Sequence, residues 1–391
     1  MLRSWLKGCI LRLLLTCHRD PFLYTGGSEE VIRSLSLQLA KNGHHVTVAT
    51  KAEPGVPYHA IYDEHGISMP YVIGRVPTVS VLSFASNGHG PFVTNRHLSD
   101  FFASGWDAAV LYGQNVWITD EIWRDVGGSW WKLLRAGKIV YFPVGFMGMQ
   151  RKGSLSTWPA RVLYYHIVQD HLIERSDIVV ALTDYELQNI PRVGKPKQLV
   201  KIPNGVSYSR FQHYANGSSI RSRFGLPGGP LIINVGGDYA NKRLSLACEG
   251  VRELGMLMPS TERPMLVLIG QGTERYTSAS VFGLGVISEA DKVALYHEAS
   301  MLLSTSDFEG FGLVFVEALA SGIPFVSTAV GVAPELAAQF GGHIIQDSSP
   351  QAVAHAMWRE MDSERDADEL RTVAKSYDWQ LITAQLEKVL A

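Results

Sequence analysis

"SDFEGFGLVFVEALASGIPFVS", Ser306 to Ser327, carries two acids, Glu309 and Glu317, eight positions apart. Glu309 sits in a glycine-flanked loop beside Phe308 and Phe311. Glu317 interrupts the apolar run Leu313-Val314-Phe315-Val316-Glu317-Ala318-Leu319-Ala320, where burying a carboxylate is costly unless it finds a partner. Gly310 and Gly312 allow backbone conformations and close approaches that a side chain would block. The run after them predicts a helix that begins near Gly312. The N–H groups of Gly312, Leu313 and Val314 would open that helix together with the positive end of its dipole, an arrangement that suits a phosphate. Glu309, just before this terminus, is placed to reach whatever the phosphate carries. Glu317, about a turn and a half in, offers two acceptor oxygens that match a vicinal diol such as that of a ribose. Phosphate, attached group and ribose together describe a nucleoside diphosphate sugar. The plainer alternative makes Glu309 a solvated loop acid and Glu317 part of a wet helix face. Leu313, Val314, Val316, Ala320 and Ser321 around Glu317 form no polar stripe, which counts against it.

Outward from this stretch, short apolar runs alternate with longer amphipathic ones, the pattern of parallel βαβ units. Before residue 206 the candidate strands are Ile10–Thr16, His45–Thr50, Ala108–Tyr112, Lys138–Phe142, Ile178–Leu182 and Leu199–Ile202, with helices over Ser28–Asn42 and Leu155–Arg175. Around "KIPNGVSYSRFQHYANGSS" (201–219) turn residues take over, and the alternation then resumes with "PLIINVGGD", "PMLVLIG", "SMLLST" and "PFVST". This predicts two open α/β domains, 1–205 and 206–375, with a ligand cleft outside the carboxyl ends of the strands. The closing stretch "YDWQLITAQLEKVLA" predicts a helix over 376–391 that returns to the first domain.

The chain has 391 residues, 46% hydrophobic and 18% charged, long enough for more than one domain at roughly 150 residues each. Its formal net charge of −2 gives no reason to expect nucleic acid as a partner. Cys9, Cys17 and Cys248 share no CxxC spacing, so a reducing cytoplasm is expected rather than a cysteine metal site. The apolar N-terminal run is broken by Arg12 and is too short to span a bilayer, which takes about 20 residues. It reads as a first buried strand. Trp5 and Leu6 with Arg3 and Lys7 keep a peripheral contact with the inner membrane face as the alternative.

"FEGFGLVFVEALASGIPFV" resembles the E-x7-E region of the retaining GT-B glycosyltransferases, specifically glycosyltransferase family 4. "GGSEEVIRSLSLQLAKNGHHVTVAT", "KIPNGVSYSRF", "NVGGDYANKRL" and "VLIGQG" resemble that family's glycine loop, interdomain segment and two further strand–loop units. The resemblance implies two Rossmann-like domains around a central cleft, with a C-terminal helix returning to the N-domain. It implies that Glu309 contacts the donor sugar, that the backbone of Gly310, Phe311, Gly312, Leu313 and Val314 holds sugar and distal phosphate, and that Glu317 holds the ribose. Lys242 matches the lysine that neutralises the pyrophosphate. Gly26 and Gly27 match the N-domain glycine loop, and Ile287 lies where the backbone meets the nucleobase, a buried strand-end residue being the equal alternative.

Two departures matter. The family usually has Arg where this chain has Gly237, which leaves Arg243 or a residue of the other domain to substitute. "YFPVGFMGM" offers no His after the strand that ends at Phe142, so no catalytic His is named. His44, His45, His166 and His171 read as structural, and Gln114 and Asn115 as acceptor-side groups or a polar loop. The implied reaction transfers a sugar, with retention, from a UDP- or GDP-sugar to a hydroxyl of a glycan or lipid-linked acceptor in cell-envelope synthesis. No metal and no resident cofactor is implied, and no DxD stands at a strand end. A dinucleotide oxidoreductase is the rival, weakened because no GxGxxG follows Ile10–Thr16. A non-catalytic sugar-nucleotide binder is the other.

Overall fold

A computed structural model describes residues 10–51, 59–66, 68–69, 78–84, 105–113, 136–144, 169–212 and 220–391. Gln114, Asn115, His166, residues 3–7 and the first part of the helix expected over 155–175 lie outside them. The chain divides into two compact units, Met1–Asn204 with Trp379–Ala391, and Gly205–Asp378.

In the first unit β1 (Arg12–Thr16), β2 (His45–Lys51), β5 (Thr78–Phe84), β6 (Trp106–Tyr112), β7 (Ala136–Phe142), β8 (Ile178–Ala181) and β9 (Leu199–Lys201) run parallel. With β3 (His59–Asp63) and β4 (Ser68–Met69) at one edge, the described order is β4-β3-β5-β2-β1-β6-β7-β8-β9, and β3 is antiparallel to both of its neighbours. Leu13, Leu14 and Leu15 are fully buried, as expected of a strand covered on both faces. The first strand starts at Arg12 rather than Ile10, whose side chain is exposed. Helix α1 (Gly27–Lys41) starts one residue earlier than expected, with Gly26 rather than Ser28 flanking it. Strand β5 was missed, although "TVSVLSF" alternates and buries Val79 and Val81.

In the second unit β10 (Leu231–Val235), β11 (Met265–Ile269), β12 (Val281–Gly283), β13 (Met301–Ser304), β14 (Phe325–Ser327) and β15 (His343–Ile344) form one parallel sheet in the order β12-β11-β10-β13-β14-β15. This is the doubly wound order, and its direction of winding reverses between β10 and β13. Helices α2 (Leu244–Leu257), α3 (Glu289–Glu298), α4 (Leu313–Ser321) and α5 (Pro350–Met361) cover it. Ile232, Leu266, Leu268, Leu303 and Val326 of the strands meet Ala247, Val251 and Leu254 of α2 and Val353 and Met357 of α5 in one core. The chain enters this unit beside its exit, because Val206 N–H donates to Tyr377 O at 2.8 Å.

Helix α6 (Trp379–Leu390) belongs to the first unit. There Glu387 accepts from Asn42 Nδ2 (2.7 Å) and pairs with His44 Nε2 (3.1 Å), while Lys138 Nζ donates to Val389 O at 3.0 Å. Among the described residues no helix is long and apolar enough to cross a membrane.

Candidate active site

The loops that leave β10 and β13 flank the point where the winding reverses, the place where an open α/β sheet offers a ligand crevice. After β10 comes Gly236, with φ +152°. A Cβ there would lie 3.0 Å from Lys242 Cε and 3.3 Å from its Nζ, so the lysine tail rests directly on the glycine. The loop after β11 stacks on the same backbone: a Cβ on Gly270 would lie 2.6 Å from Gly236 C and 2.7 Å from Gly237 N. Only glycine permits that approach.

From the other loop, Glu309 meets this lysine. Lys242 Nζ donates to Glu309 Oε1 at 2.6 Å, and Ser306 Oγ donates to the same oxygen at 2.7 Å. Oε2 accepts from no described residue. The backbones are tied as well: Asp307 N–H donates to Asn241 O (2.7 Å), and Thr305 Oγ1 to the carbonyls of Lys242 and Arg243 (both 3.0 Å). Arg243 adopts the left-handed conformation, φ 50° and ψ 47°, at a cost of about 1–2 kcal/mol for a residue with a Cβ. Its guanidinium reaches Asp307 (2.8 Å) and Ser348 Oγ (2.9 Å). Arg243 therefore braces the loop within this unit.

Beyond Glu309 the chain turns into α4. Gly312 is the flanking residue, at φ 87° and ψ 68°, and a Cβ on it would come within 2.6 Å of the Phe315 ring. The first N–H groups of α4 have no acceptor within the helix. Leu313 and Val314 are half-buried there, and Gly310 likewise. Phe311 is 3% exposed, its ring against Tyr377 with centroids 6.3 Å apart. Its side chain is packed away, and its carbonyl accepts from Val332 N–H at 2.9 Å.

Glu317 is buried, and each of its two oxygens has one partner. Lys292 Nζ donates to Oε1 at 3.1 Å and Tyr296 Oη to Oε2 at 2.9 Å. Both partners stand on α3, one turn apart, and Lys292 also reaches Glu289 at 3.1 Å. Burial raises the Tyr296 hydroxyl well above the ordinary phenol range, reinforced by the Glu317 charge. Burial works against the Lys292 ammonium, yet Glu317 and Glu289 outweigh it and hold the group above the ordinary lysine value. Ile287 lies half-buried in the loop two residues before α3, rather than at a buried strand end.

The absence of arginine at 237 has a steric correlate. A Cβ on Gly237 would lie 2.7 Å from Tyr239 Cε2 and 3.3 Å from the Gln271 carbonyl, so the Tyr239 ring occupies the space that such a side chain would enter. Asp238 next to it accepts from Tyr276 Oη at 2.9 Å and pairs with Arg275, whose guanidinium stacks over the Tyr276 ring. In the first unit, Gly26 and Gly27 open α1, and a Cβ on Gly26 would collide with the Glu29 carboxylate. Glu29 is itself buried and paired with Arg19. Sequence reading missed Lys292, Tyr296, Ser306 and Tyr239. A lysine and a tyrosine one helical turn apart before a buried acid was the available signal for the first two.

The fold that carries this site is shared with solved structures over nearly the whole chain. Sucrose-phosphate synthase from Thermosynechococcus elongatus matches with a TM-score of 0.72 at 19% identity, covering 96% of this chain and 97% of that one. Anabaena HepE in complex with UDP-glucose matches with a TM-score of 0.71 at 17% identity, over 97% and 99%. The fold is that of the GT-B glycosyltransferases. Residues 219–377 match the family described as glycosyl transferases group 1. In sequence it is 27% identical over 250 residues to the D-inositol 3-phosphate glycosyltransferase of Streptomyces griseus, covering 54% of this chain. The alignment spans about half of that relative, 53%.

Proposed function

We propose that the chain is a retaining, metal-independent glycosyltransferase that moves a sugar from a nucleoside diphosphate sugar to an acceptor hydroxyl. The observation that carries this reading is the Lys242–Glu309 contact of 2.6 Å beside the uncapped start of α4. A diphosphate brought to that terminus draws the Lys242 ammonium to itself and meets the N–H groups of Gly312, Leu313 and Val314. Glu309 is then freed to accept hydrogen bonds from hydroxyls of the sugar. As the bond from the anomeric carbon to the phosphate oxygen breaks, its electron pair goes to the diphosphate, and the developing charge meets Lys242 and the helix dipole. The acceptor oxygen bonds to the anomeric carbon on the face that the diphosphate leaves, and its proton passes to the departing phosphate oxygen. No side-chain base is needed in this scheme.

A UDP-sugar is the first donor to try, since HepE was solved with UDP-glucose, and a GDP-sugar is the second. The acceptor is a glycan or lipid-linked hydroxyl, with envelope polysaccharide or glycolipid as product and the cytoplasm or inner membrane face as the place of action. The test is release of UDP or GDP from a panel of donors, followed by NMR of the anomeric configuration in the product. Donor-dependent release that Glu309→Ala abolishes, with the donor's configuration kept in the product, supports the reading. Nucleotide binding with no release by either protein assigns the chain to sugar-nucleotide binding alone.

A further inference from the structure

Glu317 stands on α4 with its side chain 10% exposed, opposite a lysine that is 14% exposed. A buried carboxylate is tolerated only when paired and hydrogen-bonded, and α3 supplies both needs from one face. Lys292 gives the charge at 3.1 Å and Tyr296 gives a neutral donor at 2.9 Å, each to a different oxygen. Tyr296 is fully buried, its ring edge-on to Phe211 at 5.7 Å, so its hydroxyl has little freedom. Lys292 is fixed from its other side by Glu289. The carboxylate is thus held at both oxygens.

An ionised carboxylate has about four lone-pair sites. Lys292 and Tyr296 occupy one on each oxygen, which leaves one more on each. Two acceptor sites on adjacent, fixed oxygens suit the two hydroxyls of a vicinal diol. A carboxylate that turned freely would have to be ordered at the moment of binding, at a cost in side-chain entropy.

We propose that Lys292, with Tyr296, is a positioning residue that presents the remaining acceptor sites of Glu317 to the ribose diol of the donor nucleotide. This rests on the donor reading above and adds to it where specificity for a ribonucleotide comes from. Helix α3 then serves the nucleoside as a unit, since Ile287 lies just before its start and Lys292 and Tyr296 stand one turn apart along it.

Calorimetry with UDP and 2′,3′-dideoxy-UDP tests this in the wild type, Glu317→Gln, Lys292→Met, Lys292→Arg and Tyr296→Phe, with a melting curve for each. Wild type should favour UDP by about tenfold or more, the scale of a hydrogen bond to a charged group. Glu317→Gln should lose that preference. Lys292→Met should reduce it to within about threefold while binding dideoxy-UDP as wild type does. Lys292→Arg should restore part of it, and Tyr296→Phe should lower it with little change in melting temperature. A preference that is lost in Glu317→Gln but intact in both Lys292→Met and Tyr296→Phe overturns the positioning role alone. An equal loss for both nucleotides in Lys292→Met also overturns it, by showing a structural role only. No preference in wild type, with Glu317→Gln unchanged, overturns the donor reading itself. Should Lys292→Met fail to fold, Tyr296→Phe and Lys292→Arg decide.

Discussion

The ammonium of Lys242 lies 2.6 Å from Glu309 Oε1, although the two residues stand 67 positions apart. Each belongs to the loop after a different strand, on the two sides of the point where the winding of the second sheet reverses. Two opposite charges at this separation in a partly buried setting hold one another in place; in the proposed reaction Lys242 receives the donor's anion and Glu309 its hydroxyls.

Removing the cation should be severe. Lys242→Ala is expected to lower kcat by about 10²–10³-fold, the usual loss when a donor to a developing anion is deleted. Steady-state nucleotide release measures it, with circular dichroism to check the fold. Activity within a few-fold of wild type removes Lys242 from the account.

The same lysine can be displaced without touching it. In Gly236→Ala the new methyl group would press on Lys242 Cε, and φ of +152° strains any residue with a Cβ. Turnover should fall towards that of Lys242→Ala while the melting temperature drops only modestly. An unchanged kcat would show that the contact between Gly236 and Lys242 does not set the position of the amine.

Gly312→Ala probes the helix start. A left-handed alanine costs about 1–2 kcal/mol, and the Phe315 ring stands in the way of its Cβ. Denaturant unfolding should show a loss at the upper end of that range or beyond, with weaker nucleotide binding because the first turn of α4 must shift. Full stability would mean that Phe315 and the turn relax freely.

Attachment of the last helix should depend on pH in a defined direction. Burial pushes the Glu387 carboxyl up, but hydrogen bonds from His44 and Asn42 outweigh burial and hold it below its ordinary 4.5. A carboxylate held down in this way contributes stability above its unfolded value, and the contribution is lost as pH falls through the folded one. The difference in melting temperature between wild type and Glu387→Gln should therefore be greatest near neutral pH and shrink below about 4.5. A difference that is constant down to pH 3 would remove the ionised Glu387 carboxylate as its cause.

Much of the second sheet was legible because its signals are local. "LIINV", "MLVLI" and "MLLS" are continuous apolar runs that make sense only as strands covered on both faces. Gly312 before an apolar run marks the start of α4 for the same reason. Strands β12 and β15 were not legible, because "VFG" and "HI" carry too little pattern and exist by pairing with neighbours already in place.

Residue by residue, the chain determined where the continuous apolar strands of the second sheet fall, where α4 starts, and that an acid would sit inside that apolar helix. Tertiary structure alone decided whom that acid meets: Lys292 and Tyr296, 25 and 21 positions away on α3. It also set Glu309 against Lys242, turned Arg243 onto Asp307 and laid Tyr239 across Gly237. Backbone preferences and apolar periodicity are read from neighbours in sequence. The partner of a charge is chosen by which loops a sheet brings together, and that is fixed only when the whole sheet has formed.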